Sequence, residues 1–230
     1  SDRNVGALMS TRKRVGILIS GRGSNMAALI EAARARDYPA EVALVVSNKA
    51  TALGLERARA AGVPTVTIDH KGFTSREAFD DAVHAALVAA GCDLVALAGF
   101  MRIQSDAFVA RWLGRQINIH PSLLPAFKGL YPHKQALDAG VCLSGATVHF
   151  VTPELDGGPI IMQAAVPVLS GDTVESLEQR ILAAEHVLYP AALAAVAAGK
   201  VSLSDGRATH QAGRNDVSMP APFLWPPLSR

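Results

Sequence analysis

Three short apolar runs constrain the fold of this 230-residue chain more than any other feature. They are RVGILIS (14–20), EVALVVS (41–47) and DLVALAG (93–99). A strand that is apolar almost without interruption has no face to offer water, so both its faces must be covered. Helices between the runs supply the cover. Met26, Leu29, Ile30 and Ala33 fall on one helical face, and ALGLERARAAG forms a second helix closed by Gly62. Ala78, Phe79, Ala82, Val83 and Ala86, after Ser75, mark a third. VPTVTI reads as a further strand, residues 105–112 as a further helix, and QINIH (116–120) as the strand that follows it. This alternation specifies an α/β fold: a doubly wound, mostly parallel twisted sheet with right-handed crossovers, flanked by helices.

After Gly129 the pattern changes. PHKQALDAG reads as a short helix, and GATVHFV and PIIMQAAVPV as two strands around TPELDGG. That spacing favours an antiparallel pair added to the sheet, for about seven strands in all. A long Ala-rich helix starts near Thr173, with Leu177, Ile181, Ala184 and Leu188 as its buried stripe; Pro190 should kink or restart it. The tail MPAPFLWPPLSR is expected to be extended and loosely attached. No internal repeat and no linker appears. One domain over 14–200 is expected, in halves 14–113 and 114–200, with 1–13 and 201–230 as extensions.

Composition narrows the function classes. Hydrophobic residues make up 50% and aromatics only 5%, so the core must be aliphatic and Ala-rich. A formal net charge of +2 argues against a strongly basic nucleic-acid binder. No continuous apolar run approaches the roughly 20 residues that span a bilayer, and SDRNVGALMSTRKR lacks the apolar stretch of a secretory signal. Cys92 and Cys142 form no CxxC pair and no metal-ligand spacing. A reducing cytoplasm and a metal-free site are the expectation.

In an open α/β sheet, ligands sit beyond the carboxyl ends of the strands. Two candidate elements fall there. ISGRGSNM follows the first strand and opens a helix, where backbone N–H groups and the helix dipole favour an anion. Gly23, Ser24, Asn25 and Met26 would meet it; alternatively Ser24 or Asn25 is simply the N-cap of a tight turn. A dinucleotide is disfavoured, because Met26 stands where the third glycine of that fingerprint belongs and the second strand ends in Ser47 and Asn48 rather than an acid. A phosphate monoester fits better. The second element is NIHPSLLP. Gln116, Asn118 and His120 share one strand face, Ile117 and Ile119 the other, and Pro121 and Pro125 end the strand and stiffen the loop. VTPELDGG supplies a carboxylate, Asp156, which is either an ordinary turn residue or the partner of His120; Gly157 and Gly158 after it would free the backbone to turn toward the crevice.

SGRGSN, SNKA, LAGFMRI, NIHPSLLP and HFVTPELDGGPI together resemble the phosphoribosylglycinamide formyltransferase family, collinearly from about Arg14 to Gly199. HPSLLP alone would indicate only the wider group of 10-formyltetrahydrofolate-dependent enzymes. Within that group the tRNA formyltransferase carries a further C-terminal domain and the formyltetrahydrofolate hydrolase a further N-terminal one, where this chain has only 201–230 and 1–13. The resemblance implies transfer of a formyl group from 10-formyltetrahydrofolate to the amine of 5-phosphoribosylglycinamide, in purine biosynthesis. It implies small-molecule partners only, with neither nucleic acid nor membrane, and a monomer or weak homodimer.

By motif the resemblance makes Asn118, His120 and Asp156 catalytic. It assigns Gly23, Ser24, Asn25, Met26 and Glu185 to the ribonucleotide. To the folate it assigns Arg76, Met101, Arg102, Ile103, Gln104, Asn118, Thr152, Glu154 and Asp156. The chain departs from the pattern at PAFKGL and at Gln104, where an aliphatic residue is common. Folate hydrolysis, with water in place of the amine, and a non-catalytic folate- or phosphate-binding module remain as alternatives.

Overall fold

A computed structural model describes residues 12–211. Five parallel strands form the expected doubly wound part: β1 (Lys13–Ile19), β2 (Ala40–Ser47), β3 (Thr65–Thr67), β4 (Leu94–Leu97) and β5 (Gln116–His120). Helices α1 (Ser24–Ala32), α2 (Leu53–Ala60), α3 (Arg76–Ala89) and α4 (Asp106–Arg111) connect them, with one 3-10 turn at His70–Gly72. After α5 (Pro132–Asp138), β6 (Leu143–Phe150) and β7 (Ile160–Pro167) add antiparallel to the β5 edge. The strand order is β3-β2-β1-β4-β5-β6-β7. The chain reverses direction between β1 and β4, and that switch leaves a crevice above the strand ends.

The apolar runs are buried on both faces, as their lack of alternation requires. In β1, Val15, Ile17 and Ile19 belong to the core under α1, α2 and the long helix α6 (Val174–Ala197), while Leu18 belongs to the core under α3 and α4. In β4, Leu94 and Ala96 face the first core, Val95 and Leu97 the second. Ile117 and Ile119 of β5 enter the α6 side, so Gln116, Asn118 and His120 turn to the opposite face.

Two findings differ from expectation. The long helix runs unbroken from Val174 to Ala197 with Pro190 inside it. A mid-helix proline costs about 3 kcal/mol. Here Leu188, Tyr189, Ala192 and Leu193 are buried on either side of it, and the Tyr38 hydroxyl donates to the Pro190 carbonyl at 2.7 Å. Burial of that stripe outweighs the missing hydrogen bond. By length and mean hydropathy α6 could also cross a membrane. Its buried stripe instead packs on the sheet, and Glu185 lies within that stripe.

The second difference is a hairpin, β8 (Val201–Ser204) and β9 (Arg207–His210), within the stretch read as an extension. Its turn residues Asp205 and Gly206 both have positive φ, 49° and 71°. Asp-Gly is the strongest short-range hairpin signal, so this element was legible. His210 Nε2 donates to the Ile161 carbonyl and ties the hairpin to β7. The Pro-rich tail and residues 1–11 lie outside the described residues.

Candidate active site

The glycine loop opens a helix without capping it. The N-cap of α1 is Gly23 at φ 69°, and no side chain accepts from the first turn. Ser24 and Asn25 therefore lie inside the helix, which removes the reading of either as its N-cap. The first intrahelical bond runs from Ala27 N to Gly23 O, so the N–H groups of Ser24, Asn25 and Met26 have no intrahelical acceptor. Gly23 is glycine for two reasons. Its φ is left-handed, and a Cβ would stand 2.8 Å from the Gly54 Cα. The loop and the first half of α6 wall a cleft of about 550 Å³, with Arg22, Ser24 and Asn25 on one side and Glu175, Glu178 and Gln179 on the other. The Met26 side chain does not face this cleft: it is fully buried in the core, which leaves only its main-chain N–H for the site.

Glu185 is buried in α6 and accepts from Asn25 Nδ2 at 3.0 Å. Burial pushes its carboxyl up to about 7, against the Asn25 hydrogen bond that pulls it down; nearby Glu178 adds to the rise. A carboxyl raised in the folded state contributes stability that is complete below about 4.5 and lost as pH rises through about 7. Glu185→Gln should remove that dependence. Urea unfolding of both proteins at pH 5 and pH 8 should show wild type losing about 2–3 kcal/mol more than the variant between the two. Equal losses would mean that Glu185 is not desolvated.

Asn118, His120 and Asp156 converge at the end of β5. His120 and Asp156 are both almost fully buried, with Nδ1 to Oδ2 at 3.5 Å. His120 Nε2 donates to the Phe127 carbonyl at 2.8 Å. Both ring nitrogens thus face acceptors, an arrangement that an imidazolium satisfies at both ends. Asp156 reaches this position in a left-handed conformation, φ 49°, and its Oδ2 accepts from Gly129 N at 2.9 Å. The two glycines after it act differently from the expectation that they loosen the backbone: neither has positive φ. Gly158 is required for space, since a Cβ there would lie 1.7 Å from the Phe150 carbonyl oxygen. At Gly157 a Cβ would meet the flexible Glu154 side chain.

The loop after β5 is held by more than its prolines. Thr147, opposite His120 in the register, donates to Ser122 O and accepts from Leu124 N and Gln163 Nε2. Gln163 also donates to Leu124 O, and Ser122 Oγ to Ala126 O. Lys128 pairs with Glu154 at 2.8 Å, linking this loop to the one that carries Asp156.

The segment after β4 lies along the same edge. Met101 N donates to Ser20 Oγ, which in turn donates to Asn48 Oδ1. The Met101 and Ile103 side chains are exposed, 66% and 64%, as is Leu155 at 60%. The Arg102 guanidinium lies 5.1 Å from the centre of the Phe79 ring. Gln104 Oε1 accepts from Gln116 Nε2, which gives its polar side chain a buried partner on β5. Thr152 is half-buried beside the Asp156 loop. Arg76 begins α3, one turn before Phe79, and is exposed with no hydrogen bond or ion pair among the described residues. It is not brought to the Asn118–His120–Asp156 cluster by any contact.

The sequence reading passed over Thr147 and His149. Both alternate along β6 facing Asn118 and His120, so the strand's period of two was the available signal. Among the described residues no three His, Cys, Asp or Glu side chains are grouped to hold a metal ion. Cys92 and Cys142 are both free thiols, and burial pushes Cys92 up to about 11.

The family model described as Formyl transferase matches residues 13–193. The chain belongs to the formyl transferase family. It is 47% identical over 192 residues to the phosphoribosylglycinamide formyltransferase of Escherichia coli, covering 84% of this chain and 91% of that protein. It is 50% identical over 203 residues to the trifunctional purine biosynthetic protein adenosine-3 of Bos taurus, covering 88% of this chain and about a fifth (20%) of that protein's length. A crystal structure of glycinamide ribonucleotide transformylase 1 from Symbiobacterium toebii superposes with a TM-score of 0.84 at 50% identity, over 86% of this chain and 94% of that one. In this family setting the seven-stranded mixed sheet is the formyltransferase fold.

Proposed function

We propose that this formyl transferase moves the formyl group of 10-formyltetrahydrofolate to the amine of 5-phosphoribosylglycinamide. One observation carries the reading. An acid far along the chain, Asp156, meets His120 at 3.5 Å on the sheet edge where the uncapped α1 opens. Within a single domain over 14–200, the 14–113 half would hold the phosphate. The 114–200 half would supply the catalytic groups and much of the folate wall.

The residues divide the work by chemistry. Uncapped N–H groups at Ser24, Asn25 and Met26, with Gly23 allowing close approach, suit a phosphate dianion. Glu185, joined to Asn25, suits the ribose and glycinamide end. Exposed Met101, Ile103 and Leu155, with Arg102, offer an apolar rim and a cation to a flat, acid-bearing folate. Thr152, Glu154 and Gln104 complete this wall, with Arg76 at its far margin.

Holding both substrates converts a two-body encounter into a local one, an effect that reaches roughly 7–11 kcal/mol in ideal cases. The attacking nucleophile is the substrate's amine. Attack puts negative charge on the formyl oxygen. Asn118 and the His120 imidazolium donate to it, and one such donor is typically worth about 10²–10³ in rate. The amine loses a proton and the departing folate nitrogen gains one, directly or through a water. Phe127 O accepts from His120 Nε2 here, so the formyl oxygen would replace that carbonyl as the acceptor.

The protein's partners would be these small molecules alone, in the cytoplasm, with the chain a monomer or weakly associating homodimer. The decisive assay follows deformylated folate by absorbance. Product should appear only when ribosylglycinamide phosphate is added, and His120→Ala should lower kcat by about 10²–10⁴. Formate released without the ribonucleotide would assign hydrolysis instead.

A further inference from the structure

We propose that His149 is a positioning residue, which fixes the Asn118 amide through a lone pair held on its Nε2; this rests on the role given to Asn118 above. Asn118 and His149 are direct cross-strand partners on β5 and β6. Side chains at such a pair stand next to each other on one face.

The hydrogen-bond directions follow from what each atom can do. His149 Nδ1 lies 2.9 Å from the Phe150 carbonyl, which can only accept, so Nδ1 carries a proton. A neutral ring then has a lone pair at Nε2. Asn118 Nδ2 lies 3.3 Å from it and can only donate. One amide N–H is therefore committed to His149, and the amide plane is set with its second N–H uncommitted. An asparagine free to rotate by half a turn would present Oδ1 to a developing oxyanion in place of an N–H, reversing the interaction.

His149 must stay neutral for this to hold. Were Nε2 protonated, Asn118 would have to turn its oxygen toward the ring. The new N–H would also compete with His120 for Asp156, whose Oδ1 lies 4.0 Å from His149 Nε2. The groups facing the ring are Asp156, His120, Lys128 and the Phe150 carbonyl. Burial, first, and then the positive neighbours push the imidazole down, against the Phe150 bond and Asp156, which raise it. His149 is 3% exposed, so no water competes for the lone pair.

Four measurements test this. In the folded wild type, ¹⁵N-edited spectra of the imidazole should show Nδ1 protonated and Nε2 bare at pH 7.5. His149→Leu should lower kcat about 10–100-fold, with KM for both substrates within about threefold. His149→Gln, whose Oε1 can accept in the same place, should recover most of that loss. In an Asn118→Ala background, His149→Leu should change kcat less than about twofold, since its effect runs through the amide. A protonated Nε2, a wild-type kcat in His149→Leu, or fully additive losses with Asn118→Ala would each overturn the proposal. Should His149→Leu fail to fold, the wild-type spectrum and the glutamine variant decide. A wild type without turnover refutes the functional reading, separately from the tautomer, which settles whether His149 can accept from Asn118.

Discussion

Asp156→Asn should lower kcat by about 10²–10³ while the KM for the ribonucleotide moves less than about threefold. The substitution isolates charge. An asparagine oxygen can still accept from Gly129 N, so the loop keeps its anchor at 2.9 Å. What goes is the negative charge 3.5 Å from His120 Nδ1, the acceptor that faces that ring nitrogen. The ribonucleotide site proposed at Gly23–Met26 lies on other elements and should not sense the change. A thermal melt within a few degrees of wild type would establish that the fold persists. Unimpaired kcat in a folded Asp156→Asn protein would remove the acid from the mechanism.

Gly158→Ala should damage both stability and turnover, which makes it the most severe single-methyl change available at the site. The added Cβ would sit 1.7 Å from Phe150 O and 2.9 Å from Phe150 C, both backbone atoms of β6. No side chain can swing aside, so the loop and strand must separate. Overpacking of this kind costs about 1–3 kcal/mol or more, and at this chain length that lowers Tm by roughly 2–12 °C. The same displacement moves Asp156, two residues earlier, and Phe150 O, which accepts from His149. Gly21→Ala is the control for stability, because nothing lies within 4 Å of a Cβ there. Equal melting temperatures for Gly158→Ala and Gly21→Ala would show that the loop yields freely.

Much of the architecture was legible because it rests on local pattern. RVGILIS, EVALVVS and DLVALAG had to be strands covered on both faces, and β1, β2 and β4 are. The face shared by Gln116, Asn118 and His120 follows from a strand's period of two, with Ile117 and Ile119 in the opposite core. Pro190 does not restart α6, since its local penalty is offset by a buried stripe that only the packed sheet provides. Asp205-Gly206 was a local signal passed over.

The sequence alone thus determined the strand–helix alternation, the sheet edge at which His120 ends its strand, and the residue types available there. Only the tertiary structure decided how those groups are wired. Periodicity acts over a few residues, whereas a hydrogen bond between distant segments depends on strand register and loop shape. Antiparallel pairing of β5 with β6 set His149 against Asn118, and a left-handed turn at a non-glycine residue put Asp156 beside His120. An empty N-cap at Gly23, which no side-chain pattern announces, left the first turn of α1 open.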